Sequence, residues 1–364
     1  MDEAERLQAS HVQPTDPPVP VQRHRLPAWI RRLCRWCWTG LRRAVQFLLI
    51  AWSALAIYYS NLPWAWTRVA LAVAFAGFAV WALWVRPRAR LRWAFAGAFA
   101  GVAVWWVCIP PSHDRPWRRE VAVLPRVVID GDRVQLTGFR NFNYRSEDDF
   151  DARYERREVA QAHLVSVDLF VSYWKLGPIA HTFVSFTFDD GTPPVCVSIE
   201  ARPEVGEQFN ALATMFKQYE LIYVVGDERD LVRVRTEYRG EDVFLYRIRA
   251  TPEGARRLFR DYLDRVNELA ERPEWYHLLK NNCTLNILRH ARRAAGVGRA
   301  RFDYHYLLNG LIDRYLYGEG VIDTSLDFVD LRRRSHINDA ARAAGDAEDF
   351  SARIRSFLPV PTAE

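Results

Sequence analysis

Residues 44–60 read AVQFLLIAWSALAIYYS, residues 69–85 read VALAVAFAGFAVWALWV, and residues 93–109 read WAFAGAFAGVAVWWVCI. Each stretch is 17 residues long and carries no charge, the lower limit for a helix crossing a hydrocarbon core ~30 Å thick. Trp64, Trp66, Trp84, Trp93, Trp105 and Trp106 stand near the ends, where an interfacial aromatic belt belongs. The reading is three transmembrane helices within residues 44–110. A core helix in the third position is the alternative, and the lack of charge there argues against it.

Working outward, the flanking arginines orient the spans. Arg31, Arg32, Arg35, Arg42 and Arg43 precede the first, and Arg86, Arg88, Arg90 and Arg92 join the second to the third. Only Arg68 lies between the first two. The positive-inside rule then puts the N-terminus and the 86–92 loop in the cytoplasm. Three crossings leave residues 111–364 on the far side of a bacterial inner membrane. Residues 1–43 read as a cytoplasmic tail, Pro-rich and disordered at first and then Arg-rich.

Charge separates these parts. Residues 1–112 carry a net charge of +9 and the remainder −3, within an overall +6. The basic excess therefore sits beside the membrane, which argues against a nucleic-acid partner. Five cysteines, of which only Cys196 and Cys283 lie in the large domain, do not make a disulfide scaffold. Cys34 and Cys37 form a lone CxxC with no second ligand pair.

In the large domain, RVVIDGDRV (126–134) reads as a hairpin. So does AHTFVSFTF (180–188) followed by DDGTPP and VCVSIEA (195–201). Residues 165–174, 221–225 and 243–248 read as further strands. Residues 141–157 read as loop and 209–219 as helix. Leu258, Phe259, Tyr262, Leu263, Val266 and Leu269 then repeat with helical period until Pro273. A second helix runs from Cys283 to Ala295, with Asn282 as N-cap and Gly296 as its stop. An aromatic-rich 302–312 and a polar, Arg-rich tail follow.

Cys283 is the residue to explain. A thiol opening a helix meets the positive end of the dipole and unpaired backbone N–H groups, which favour thiolate. It would need a base, and the base an orienting group. Of His113, His163, His181, His277, His290, His305 and His336, His181 stands out because it opens an otherwise apolar strand. With the hairpin turn centred at Gly191-Thr192, His181 lies opposite Arg202, and Glu200 shares its face and can hold the ring. Asn282 is a candidate oxyanion donor beside the helix start. Trp275 and Tyr276 are candidates for lining an acyl groove. The plainer alternatives are a core thiol with a core histidine, or a Cys196–Cys283 disulfide. That register puts Cys196 ~20 Å from the His181 level. A bridge, which needs Cα atoms within ~7 Å, and a Cys283–His181 pair therefore exclude each other. No metal-ligand spacing or cofactor motif is evident.

A strand His, a polar residue on the next strand and a later Asn-Cys opening a helix resemble circularly permuted papain-type enzymes, relatives of the NlpC peptidases and of lecithin retinol acyltransferase. PSHDRPW (111–117), FRNFNYRSEDDF (139–150), DLFVSYW (168–174), AHTFVSF (180–186), FKQYELIYVV (216–225), YRGEDVFLYR (238–247), NNCTLNILRH (281–290) and RRSHIN (333–338) resemble the Lnb N-terminal periplasmic domain family. The family takes its name from a lipoprotein N-acyltransferase. The resemblance implies His181 and Cys283 as a catalytic pair. Glu200 rests on the hairpin argument alone. The fold expected is α+β: three transmembrane helices, then a permuted papain-like domain with an antiparallel sheet packed on helices. The function expected is thiol acyl transfer through an acyl-thioester, with membrane phospholipid and lipoprotein as substrates. A cell-wall peptidase or amidase and a non-catalytic envelope scaffold are the rivals.

Overall fold

The computed structural model describes residues 27–175, 177–296 and 309–358. The Pro-rich tail, His305 and most of the aromatic 302–312 segment lie outside the described residues. Three helices come first: α1 (Ala28–Tyr58), α2 (Ala65–Val80), which runs on into a π-helical turn at Trp81–Val85, and α3 (Ala89–Cys108). All three are long and apolar enough to cross a membrane. Side chains such as Leu48, Val73 and Val104 are exposed along them, as a lipid-facing surface requires. One expectation is corrected here. The Arg-rich part of the 1–43 segment is not a tail, because α1 begins directly after Pro27 and carries Arg31 to Arg43 as its first turns. The fixed φ of proline suits a helix start, and nothing in 28–43 breaks a helix.

The sheet has the order β1-β2-β9-β8-β7-β6-β10, with β5 also pairing β2. Its strands are β1 (Arg126–Asp130), β2 (Arg133–Arg140), β5 (Tyr154–Ala160), β6 (Leu164–Tyr173), β7 (His181–Phe188), β8 (Val195–Arg202), β9 (Glu220–Gly226) and β10 (Asp242–Arg247). A separate small ribbon joins β3 (Asn143–Tyr144) to β4 (Phe150–Asp151). Pairing is antiparallel except where β2 meets β9 in parallel at Arg140 and Gly226. There a Cβ on residue 226 would lie 2.6 Å from the Arg140 carbonyl, so only glycine lets the two strands meet.

Helices cover both faces. On one lie α5 (Pro252–Glu271) and α6 (Cys283–Ala295), with α7 (Ile312–Gly318) and α8 (Phe328–Ser335). The Leu258-to-Leu269 stripe of α5 is buried there against Val184, Phe186, Val197 and Tyr223. On the other lie α4 (Glu228–Leu231), α9 (Asn338–Ala344) and α10 (Phe350–Arg353), packed on Phe170, Phe183, Ile222 and Val224. Cover on both faces explains why the central strands are buried almost throughout.

Several expectations change. The 141–157 loop contains β3, β4 and the start of β5, because Tyr144 and Phe150 pack with Phe142 into a small aromatic cluster. The 209–219 helix shrinks to a single 3-10 turn at Ala213–Phe216. The polar C-terminal tail is a helical cover. Arg355 explains its polarity, since it is buried against Asp168 (2.7 Å) and Glu228 (2.5 Å).

Candidate active-site cleft

Cys283 sits where the sequence places it, at the first turn of α6. Asn282 caps that helix: its Oδ1 accepts from the Leu285 N–H at 2.8 Å. The thiol is almost fully buried. Burial alone would push it up, but the His181 ring beside it and hydrogen bonds from Thr182 bring it down to about 6. A thiolate at neutral pH is therefore the resting form.

His181 opens β7 and hydrogen-bonds that thiol. Its Nε2 lies 2.7 Å from the Ser198 hydroxyl, and that hydroxyl donates to Glu200 Oε1 at 2.7 Å. Glu200 is in turn held by Arg235 at 2.7 Å. Burial would raise the Glu200 carboxyl, yet Arg235 and His181 hold it well below the usual carboxylate range. The direction of the chain follows. The ionised Glu200 accepts the Ser198 O–H, so Ser198 accepts from Nε2–H, and Nδ1 faces the sulfur, where it holds the proton that the thiol gives up.

The hairpin register differs from the expected one. Phe183 pairs with Ser198 and Phe186 with Val195, which sets His181 level with Glu200 rather than Arg202. The turn centres one residue earlier, at Asp190-Gly191, where Asp190 Oδ1 accepts the Thr192 N–H at 3.0 Å and Gly191 takes φ +82°. A slip of two residues keeps every side chain on its face, so Glu200 still points toward His181. It does not hold the ring directly, however: Nε2 and Oε1 are 3.9 Å apart, with Ser198 between. Ser198 was legible in retrospect, two residues before Glu200 on the same strand face. Arg235 was not, because it comes from a π-helical turn, Val234–Tyr238, far along the chain.

Asn282, the expected oxyanion donor, has a structural role at the helix start as well. Its carbonyl oxygen caps α6 and one N–H of its NH2 donates to the Leu278 carbonyl at 2.5 Å, which leaves one N–H at the cleft wall. Tyr276 stands beside Cys283 as well. It is buried, and its hydroxyl reaches both the backbone N–H and the thiol of Cys283. Burial raises its pKa far above the ordinary value, which keeps the hydroxyl protonated. Asn309 approaches from the other side, with Nδ2 3.8 Å from the sulfur and 3.1 Å from the Thr284 hydroxyl. Its neighbour Gly310 packs so tightly on the 177–179 backbone that a Cβ would fall 2.2 Å from the Gly177 carbonyl.

Cys196 takes no part. It lies in the apolar cluster on the opposite sheet face from Cys283, both thiols are free, and burial pushes the Cys196 thiol well above its usual value.

These groups line a cleft of about 740 Å³. Trp174, Ile179, Phe209, Leu278 and Leu279 give it an apolar side, while Arg118, Arg239, Glu147 and Asp148 give it a charged one. Trp275, the other expected groove residue, is not part of the lining. Its ring lies under Arg115 and Lys217, with the cations 5.2 and 6.0 Å from the centroid. Among the described residues no group of three or more His, Cys, Asp or Glu side chains is arranged to hold a metal ion.

The chain is thus a membrane protein whose large α/β domain holds a buried thiol–imidazole pair at a helix N-terminus. Residues 150–310, which span β4 to Gly310 and include every group of the cleft's polar chain, match the Lnb N-terminal periplasmic domain. No curated protein and no solved structure matches the chain.

Proposed function

We propose that the domain is a thiol acyltransferase of the bacterial inner membrane, with its N-terminus cytoplasmic and a permuted papain-like active site in the periplasm. The observation that carries this reading is the Cys283 thiol, lowered to about 6 beside His181, in a cleft with one apolar wall. In the resting pair His181 already holds the Cys283 proton on Nδ1, and Glu200, acting through Ser198, stabilises the imidazolium. The thiolate attacks an ester carbonyl of a phospholipid. The tetrahedral oxyanion is held by the Cys283 N–H and the Tyr276 hydroxyl. Collapse breaks the ester C–O bond, the lysolipid alkoxide takes the proton from His181, and an acyl-thioester remains on Cys283. The amine of a lipoprotein acceptor then attacks the thioester. His181 takes the amine proton, the amide forms and the thiolate leaves.

The apolar wall favours this reading over a peptidase or amidase. The charged part of the lining, which includes Arg118, Arg239, Glu120, Glu147 and Asp148, is the observation that keeps the peptidase as the second reading.

Mass spectrometry of the full-length protein in phospholipid tests it. The expected result is an acyl adduct on Cys283, absent in Cys283→Ala and His181→Ala, that passes to an added amine acceptor. A Cys283 that stays unmodified in lipid but labels fast with a thiol reagent would support the peptidase. A thiol inert to both would leave a non-catalytic scaffold.

A further inference from the structure

At the other end of the spans, away from the cleft, α1 and the end of α2 enclose a second cavity, of about 670 Å³. Along α1 its lining passes from Arg42 and Arg43 through Gln46 to Phe47, and Leu83 and Trp84 line it from the neighbouring helix. The Trp84 indole donates to Gln46 Oε1 at 3.0 Å, which fixes the amide with its NH2 end left as a donor. The cavity lies where α2 gives way to the π-helical turn Trp81–Val85, which supplies both Leu83 and Trp84.

The charge around it is one-sided. Residues 27–110 contain no aspartate or glutamate at all, while nine arginines crowd this end of the spans. Guanidinium groups at a membrane interface take anions, and a planar fork of N–H donors matches phosphate oxygens best. A basic pocket between spanning helices, lined by both arginines and apolar side chains, suits an amphiphile with a phosphate head.

We propose that this cavity is a binding site for one anionic phospholipid. Its phosphate pairs with Arg42 and Arg43 and accepts from the Gln46 amide, and an acyl chain runs down over Phe47 and Leu83. The site is separate from Cys283 and does not depend on the reaction assigned to it.

Native mass spectrometry of the full-length protein in detergent tests this, with phosphatidylglycerol, phosphatidylcholine and inorganic phosphate as three separate additions. The expected result is one retained phosphatidylglycerol, bound at least tenfold more tightly than phosphatidylcholine, with a preference that falls severalfold in Arg42→Gln/Arg43→Gln. Arg31→Gln/Arg32→Gln removes the same charge outside the cavity and should keep the preference. Equal retention of the two lipids would overturn the proposal. So would an equal loss in both double variants, which would mean diffuse surface charge. Occupancy of the site by inorganic phosphate at the same concentration as the lipid would also overturn it, since the acyl chain would then contribute nothing.

Discussion

Cys283 owes its character to opposed effects of similar size. Burial disfavours the thiolate, while the His181 ring and the donors at the helix start favour it, and the second set prevails. Two measurements follow. The rate of Cys283 alkylation by iodoacetamide should rise with pH to a midpoint of about 6, because the thiolate is the reacting form and is populated above its pKa. In His181→Ala the midpoint should move up past the ordinary thiol value of about 8.5, since burial then acts with little opposition. An unchanged midpoint would mean that the imidazole does not set the thiol. Tyr276→Phe separates the oxyanion role from simple packing. Acylation of Cys283 by p-nitrophenyl butyrate passes through an oxyanion and should slow by roughly 10²-fold. Alkylation by iodoacetamide forms no oxyanion and should stay within about twofold of wild type by the same principle. Equal slowing of both reactions would reduce Tyr276 to a packing residue. The legibility of these residues follows from their range. Cys283 and His181 could be read because their signals are local: an Asn-Asn cap before a helical stripe, and a lone polar ring at the head of an apolar strand. Tyr276, Asn309 and Arg235 act only where distant segments meet, and no local pattern marks such a meeting.

At the scale of elements, α6 was legible to the residue because both of its ends are chemically marked, by Asn282 and by Gly296 with φ +67°. The C-terminal cover was not. Its helices are short, and α8 carries Arg332, Arg333 and Arg334 in sequence, which alone reads as solvated coil. What holds the cover is the buried Arg355, which joins Asp168 of β6 to Glu228 of α4. Asp168 also binds Arg247 of β10 at 2.9 Å, so one carboxylate of β6 ties the edge strand to the segment that follows α10. Arg355→Met keeps the length of the side chain but leaves Glu228 buried with its principal partner gone. The expected cost is about 3–5 kcal/mol of domain stability, seen as a lower urea midpoint with an unchanged slope. A shift below about 1 kcal/mol would match an exposed pair and show the network to be dispensable. Replacing Arg145, whose partners Asp149 and Asp151 are exposed, is the control and should leave the urea midpoint essentially unchanged.

For the whole molecule, the question is how the spans hold the cleft. The join is built of few contacts, and Lys217 is central to it. Its backbone takes the left-handed conformation, at φ +58°. This aims the ammonium at the end of α3, where it donates to the carbonyls of Trp106, Val107 and Ile109 at 2.9, 2.9 and 3.0 Å. These carbonyls lie at a helix C-terminus, the negative end of its dipole, where a cation is favourable. The ammonium also stands 4.9 Å from the Trp106 ring. One residue earlier, Phe216 stacks on Tyr59 at the end of α1, with centroids 5.9 Å apart. Ser112 and Arg115 of the linker bind Glu220 on β9 at 3.0 and 3.1 Å. Trp174, Phe209 and Leu279 of the cleft lining are exposed, as is Leu212 close by in sequence. On the proposed lipid reading, the join sets the height and tilt at which this apolar rim would meet the bilayer. Lys217→Ala removes the cap and touches no group in the cleft. Acylation of Cys283 by water-soluble p-nitrophenyl butyrate should stay within about twofold of wild type, because the thiol, ring and oxyanion donors are unchanged. Acylation from phospholipid in a bilayer should fall by about tenfold, since a misplaced rim weakens the alignment of a substrate that cannot diffuse to the site through water. Lys217→Arg keeps a cation that reaches the same carbonyls and should recover most of the rate. If both reactions fall together in Lys217→Ala, the residue supports the fold of the domain. If neither falls, the spans tether the domain without aiming it.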